Sequence, residues 1–338
     1  MTATLRRDRL PVMVAPTGAA ISHKCTCGCG AVLRFALSYD AKTSPAVTLD
    51  TRGRSVSARA TIPNAWNLPA GPVHLGGACP GSTDACRDCY GAGQEARYTN
   101  TGNLVTANLD NLRHVYGCGG RRAVVDILTR LVNLSAGQQR AAGIARPSFR
   151  WHADGDIFAA WYARAIRETA TATPGVDQWI YTRSTMYVRE LMPAPDNLRV
   201  IVSVDQYNAT TAARVAARYG LPVAILAPDK ATAGDIAARV DRVGRGSIPA
   251  PVLCPVAGAY QDGSGFPSYV VGIDGKRSSL TANGQAVGAC IACGLCLPGG
   301  ANRSVTFLIH GGTAAPGTGG RLAAAVAVRV RRGVIAAA

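Results

Sequence analysis

The chain has 338 residues, of which 48% are hydrophobic and only 17% charged; this excludes a mostly disordered protein and allows one large domain or two ordinary ones. The net charge of +16 is almost wholly arginine, since Lys24, Lys42, Lys230 and Lys276 are the only lysines. Such a balance suits a nucleic acid or an anionic substrate, and equally an Ala/Arg/Gly-rich composition with no charged partner at all.

Eleven cysteines form an odd set in a chain too long for a small disulfide-stapled scaffold. Pro11 and Pro16 interrupt the apolar stretch behind Arg6, Arg7 and Arg9, which argues against a signal peptide. No run approaches the roughly 20 apolar residues of a membrane span. The thiols therefore read as reduced ligands in a cytoplasmic protein with no membrane partner.

Residues 1–60 show no sustained period and form an N-terminal extension. Within it, alternation along Cys25-Thr26-Cys27-Gly28-Cys29 predicts three thiols on one face of a strand, as ligands or as small apolar groups. Residues 61–255 are more regular. A short strand is expected at 72–75, leading into a cysteine loop at 79–89. Leu104, Ala107, Leu112 and Val115, then Val124, Leu128, Leu131 and Val132, recur at helical spacing. Strands are predicted at 148–152, 178–181, 199–204, 222–226 and, last, 252–254. Helices fall between them: one carrying Phe158, Trp161, Tyr162, Ala165 and Ile166, one after a Ser184 cap, one over 211–219 stopped by Gly220, and one over 231–243. This alternation predicts an α/β fold of parallel βα units forming a partial TIM-type barrel, with a doubly wound open sheet as the alternative. Residues 256–312 form a Cys-rich metal-binding extension, with a hairpin expected among the turn pairs Asp274-Gly275 and Asn283-Gly284. Residues 313–338 read as a basic flexible tail.

Two cysteine constellations carry the chemistry. Cys79-x6-Cys86-x2-Cys89 is followed by Tyr90, and Cys254 precedes Cys290-x2-Cys293-x2-Cys296. A C-x2-C-x2-C run holds three thiolates on a tight turn, as cubane clusters require, and Cys254 supplies a fourth. The expectation is one or two [4Fe-4S] clusters, with zinc as the alternative at the second, four-cysteine site. The first group has only three thiols, which leaves a cubane one position for another ligand; His74 or Cys118 would close it. Cys118 alone reads as a buried thiol.

Sites in parallel sheets gather at the carboxyl ends of strands, and here those ends are polar. His152, Asp154 and Asp156 follow one strand, Arg183 and Ser184 the next, and Asp205 the one after. Asp156, Arg183 and Asp205 are the candidate catalytic residues; Cys79, Cys86, Cys89, Tyr90 and Asp154 are the candidate cofactor-binding ones. Asp156 equally suits a helix cap. Arg183 beside a buried strand end needs an anion, either an internal carboxylate or a ligand. His310, past the last cysteines, is a candidate ligand or proton shuttle.

Trp66-Asn67-Leu68-Pro69-Ala70, Cys79-Pro80, Cys86-x2-Cys89-Tyr90, Trp151-His152-Ala153-Asp154-Gly155-Asp156-Ile157-Phe158, Tyr181-Thr182-Arg183-Ser184, Cys254-Pro255, Cys290-x2-Cys293-Gly294-Leu295-Cys296 and Phe307-x2-His310 occur in one order. Over about residues 60–312 this set resembles the phage "gene product 88" family. The resemblance implies a phage protein acting in the host cytoplasm. That family is similar in turn to radical S-adenosylmethionine enzymes, whose partial barrels hold a three-cysteine cubane. Their C-x3-C-x2-C is absent here, and Asp154-Gly155-Asp156 is the only segment at the place of a methionine-binding stretch. The resemblance implies a cluster enzyme that needs an electron donor and takes an anionic small molecule or nucleic acid, with S-adenosylmethionine as a candidate cofactor. The alternative is a non-enzymatic, metal-stapled nucleic-acid-binding or regulatory protein.

Overall fold

The computed structural model describes residues 19–40, 48–49, 55–56, 62–254, 269–271, 277–279, 290, 293–308 and 320–333. Its centre is a parallel sheet built from short, apolar, β-branched runs. In chain order the strands are β3 (Ala65–Trp66), β4 (Ser148–Trp151), β5 (Asp177–Thr182), β6 (Leu198–Val204), β7 (Val223–Ala227), β8 (Pro251–Leu253) and β9 (Ser304–Leu308), preceded by an antiparallel hairpin of β1 (Ala20–Lys24) and β2 (Val32–Ala36). In space the sheet runs β3, β4, β5, β6, β7, β9, β8, with every neighbouring pair parallel. The expected α/β class of parallel βα units stands. The sheet is open, so it is not a closed TIM barrel.

The first five strands lie in sequential order, without the reversal of a doubly wound sheet. The connecting helices pack on one face of these strands. Among the described residues there are seven α-helices: α1 (Tyr90–Arg97), α2 (Thr99–Ala141), α3 (Ala160–Ala172), α4 (Val188–Leu191), α5 (Ala209–Tyr219), α6 (Lys230–Gly244) and α7 (Gly320–Arg331). Strand alternation separates two cores. Val200, Val202, Val204, Ile180, Val223 and Ile225 pack toward the helices, whereas Tyr181, Ile201, Ala224, Val305 and Phe307 line the opposite face with Cys293, Leu295 and Cys296.

Several expectations are corrected. Residues 72–75 form no strand: Pro72 has no N–H to pair, and Val73–Leu75 is a 3₁₀ turn closed by Gly76 at φ 75°. The strand at 251–253 is not the last, because β9 inserts between β7 and β8. The three N-terminal thiols do not share a strand face. They lie on the β1–β2 turn, where Gly28 and Gly30 take φ of 75° and 68° and Cys25 N donates to Ala31 O at 2.8 Å. The expected flexible tail contains α7, which packs against α1 and the cysteine loop. A hairpin does form in the Cys-rich extension, Tyr269–Val271 against Arg277–Ser279. His310 lies outside the described residues.

The long α2 is two helices merged at Gly120, whose φ of 64° and ψ of −164° break the helical path. Its first half faces the hairpin. Asn108 accepts from Ala36 N at 3.1 Å and donates to Ala36 O at 2.9 Å and Asn67 O at 3.2 Å, while Asn111 donates to Arg34 O at 2.8 Å. Among the described residues, no helix is long and apolar enough to cross a membrane.

Candidate metal centres

Cys86 lies on the 3₁₀ turn Asp84–Asp88, which Cys89 closes by donating its N–H to Cys86 O at 3.1 Å. Cys89 immediately precedes α1. Cys79 approaches from the preceding loop, held by its N–H on Gly71 O at 2.9 Å. Burial first, then the charges of Asp156, Cys89 and Cys86, push the Cys79 thiol well up. Burial likewise raises Cys89 to about 11, with Asp154 and Cys86 adding to it.

One cation enters this acidic, sulfur-rich ground. Arg183 Nη1 donates to Cys86 Sγ at 3.3 Å, and its Nε stands 3.0 Å from Asp205 Oδ2. Asp205, 1% exposed at its side chain, also accepts from Thr83 Oγ1 at 2.7 Å, tying the cysteine loop to the end of β6. The anion expected beside Arg183 is therefore internal. Asp156 does not cap α3. Its Oδ1 accepts from Ile157 N at 2.7 Å and Thr182 Oγ1 at 2.7 Å, and its Oδ2 from Arg183 N at 2.8 Å and Ser184 N at 3.1 Å. With four donors on one carboxylate, Asp156 shapes the loop that aims Arg183. Ser184 starts the 3₁₀ turn Thr185–Tyr187 without a side-chain cap. Asp154 lies against Gly91 of α1, and burial followed by Glu95 raises its carboxyl to about 7. Tyr90, a candidate cofactor contact, is 68% exposed.

The second constellation is held by its backbone. Cys254 leaves β8 with its N–H on Thr306 O at 2.8 Å, and Gly294 N on Cys290 O at 2.9 Å folds the C-x2-C-x2-C run into a turn. Cys290 is raised by burial, then by Asp40, Cys254 and Cys296. Burial lifts Cys296 to about 11, against a hydrogen bond with Tyr181. Arg199 reaches across from β6 to Leu297 O, Gly300 O and Ala301 O at 3.3, 3.2 and 2.8 Å, and so clamps that turn onto the sheet. The charges of Arg150 and Asp40, an ion pair, act on both Cys290 and Asp154.

A third group joins the N-terminal thiols, already candidate ligands, to two residues that the sequence did not connect with them. Cys25, Cys27, His114 and Cys118 bring their ligand atoms within 4.8 Å of one another, a Cys3His set that could hold a metal ion. Cys118 is thus no isolated thiol. Hydrogen bonding with Cys118, Cys25 and Cys29 pulls the Cys27 thiol down to about 6. The missed signal was His114-x3-Cys118, an i, i+4 pair on a helix opposite a Cys-x-Cys turn.

The model of the family described as Gene product 88 matches residues 36–299. The chain belongs to that family. The match takes in the first two constellations and Arg183, but not the turn that carries Cys25, Cys27 and Cys29. No curated protein and no solved structure gives a significant match.

Proposed function

We propose that this member of the Gene product 88 family is a phage-encoded iron–sulfur protein of the host cytoplasm, acting as a radical-enzyme-like catalyst on a partial barrel. The observation that carries the reading is the Arg183 side chain, held between Cys86 and Asp205 at the carboxyl end of the parallel sheet. Cys79, Cys86 and Cys89 would hold a cluster there, and none of them is disulfide-bonded. Their chemistry fits: buried thiols become good ligands when a cationic centre offsets their desolvation as thiolates. Bound at that place, a cluster supplies one-electron transfer, for which an external electron donor is needed.

The chain's own residues then have distinct tasks. Arg183 offers one N–H, from Nη1, to the sulfur of Cys86, which would lower its charge density as a thiolate and with it the energy of the reduced state. Asp156 fixes the backbone of that loop, and Asp205 keeps the guanidinium oriented. Asp154, close to neutral titration, can hold a proton or orient a charged small-molecule substrate such as S-adenosylmethionine. Cys254, Cys290, Cys293 and Cys296 would form a second, closed site for a cluster or for zinc. The net charge of +16 supports a rival reading, a metal-stapled nucleic-acid-binding protein.

Anaerobic purification with iron and sulfide analysis, followed by electron paramagnetic resonance of dithionite-reduced protein, tests the reading. Iron and sulfide with a spectrum altered by S-adenosylmethionine is the expected result. Zinc alone from an iron-supplied preparation overturns it. Affinity for DNA or RNA that falls steeply with salt, in protein free of iron, favours the rival.

A further inference from the structure

Two segments far apart in sequence meet at the edge of the hairpin. The β1–β2 turn presents Cys25 and Cys27, and α2 presents His114 and Cys118 one helical turn apart. The distances centre on His114 Nε2, which lies 3.3 Å from Cys25 Sγ, 3.8 Å from Cys27 Sγ and 3.4 Å from Cys118 Sγ. A tetrahedral zinc ion with S ligands at about 2.3 Å and N at about 2.0 Å sets its ligand atoms about 3.5–3.8 Å apart. Cys25 and Cys27 stand 3.0 Å apart, well beyond the roughly 2.05 Å of a disulfide bond. Each thiolate of a cubane cluster binds its own iron, so cubane ligands are spread by an iron–iron separation as well as two Fe–S bonds. Four donors all within 4.8 Å of one another therefore suit a single ion.

We infer that Cys25, Cys27, His114 and Cys118 form a closed zinc site that fastens the N-terminal hairpin to α2. Its donors are three soft thiolates and one imidazole, a complete set for tetrahedral zinc with no position left for substrate. The task is structural. The hairpin is only five residues long on each strand, and an isolated hairpin of that size is marginal in water. It is held by Leu33, Phe35 and Leu37 in the core, by Ala36 against Leu104 and Val105, by Arg130 Nη2 donating to Ser22 O at 3.0 Å, and by the Asn108 and Asn111 contacts. A metal bridge to α2 adds a further constraint at the turn end. The same helix carries Asn108, which bonds Asn67 O, and Asn67 Oδ1 accepts from Ala153 N at 2.9 Å and Asp154 N at 3.3 Å. The zinc site thus stands two hydrogen-bonded residues from the loop of Asp154 without touching it. Cys29, with Sγ 3.4 Å from His114 Nε2, is a neighbour of the set rather than a member.

The test uses the full chain loaded with zinc, then with Co²⁺ in its place. One tightly held zinc per chain is expected beyond any held by Cys254, Cys290, Cys293 and Cys296, and its cobalt form should show tetrahedral d–d bands with thiolate charge transfer. His114→Ala and Cys118→Ser should lose that ion and its bands, whereas Cys29→Ser keeps them. His114→Cys keeps the ion but moves the cobalt bands toward a four-thiolate pattern, which separates loss of a ligand from loss of the fold. A Cys79→Ser/Cys86→Ser/Cys89→Ser variant should retain zinc whether or not the wild type holds iron, so this site stands or falls apart from the proposed cluster. Zinc retained at wild-type level in both His114→Ala and Cys118→Ser, or iron and sulfide lost with these two variants, overturns the inference.

Discussion

Arg329 of α7 and Glu95 of α1 form a buried ion pair at 2.6 Å, each side chain only 4% exposed. Arg329 also donates to Ala70 O at 2.6 Å and Leu75 O at 3.0 Å, and Glu95 accepts from Ala70 N at 2.6 Å. The pair thereby locks the last helix over the segment that enters the cysteine loop. Removing one member of such a pair leaves an uncompensated buried charge, a cost of about 3–5 kcal/mol. Arg329→Met should lower stability by that order in urea unfolding and make Cys89 react faster with a thiol reagent. Arg329→Met combined with Glu95→Gln should recover part of the loss. Unchanged unfolding in Arg329→Met would mean that α7 is not docked there.

Arg183 serves two acceptors at once through two separate, rigidly spaced nitrogens, a geometry a lysine lacks. A guanidinium spans Cys86 and Asp205 through different nitrogens, whereas an ammonium is one point charge. Arg183→Ala strands the buried Asp205 and should cost about 3 kcal/mol; Arg183→Lys should fall between this variant and wild type. Iron retention after anaerobic loading should follow the same order. Equal iron content in all three proteins would detach Arg183 from the thiol group.

His152 and Asp154 should pull the pH dependence of stability in opposite directions. Burial, and then Arg150, hold the His152 imidazole down at about 3; in the unfolded chain it returns to about 6.5. Its stabilising contribution is complete above pH 6.5 and is lost as pH falls toward 3, at about 1.4 kcal/mol per pH unit. Asp154, raised to about 7 in the fold, behaves the other way, so stability falls as pH rises from about 4 to 7. His152→Asn tolerates the backbone φ of 57° at this position and should leave the falling slope of Asp154. Asp154→Asn should leave the rising slope of His152. Two variants with the wild-type pH profile of melting would refute both assignments.

Tyr162 joins the helix layer to the strand-end layer. Its hydroxyl accepts from Trp66 Nε1 at 3.0 Å and lies 2.8 Å from His152 Nε2, all within the core. Tyr162→Phe removes one oxygen and leaves two buried nitrogens without that partner, a loss of about 2–3 kcal/mol. Thermal unfolding against Phe158→Leu, which keeps the hydroxyl, would distinguish the hydrogen bonds from lost ring packing.

The strands and helices between residues 148 and 244 were legible because their signals are local. A parallel strand buried on both faces centres on an apolar run such as Val200–Val202, and α5 ends where Gly220 takes φ of 64°. The cysteine constellations were legible for the same reason, since close spacing alone makes Cys86 and Cys89, or Cys290, Cys293 and Cys296, neighbours. Strand order was not, because β9 enters beside β7 across a long excursion that leaves no local trace. Nor was the docking of α7, whose Arg329 looks like one more basic residue until Glu95, 234 positions earlier, is folded against it. The Cys3His group is the clearest case. Cys27 and His114 are 87 residues apart, and each half of the site reads as an ordinary turn or helix face. Periodicity and spacing report which way neighbouring side chains point; they carry no information on which distant surface will be buried against them, and that is decided only when the whole core packs.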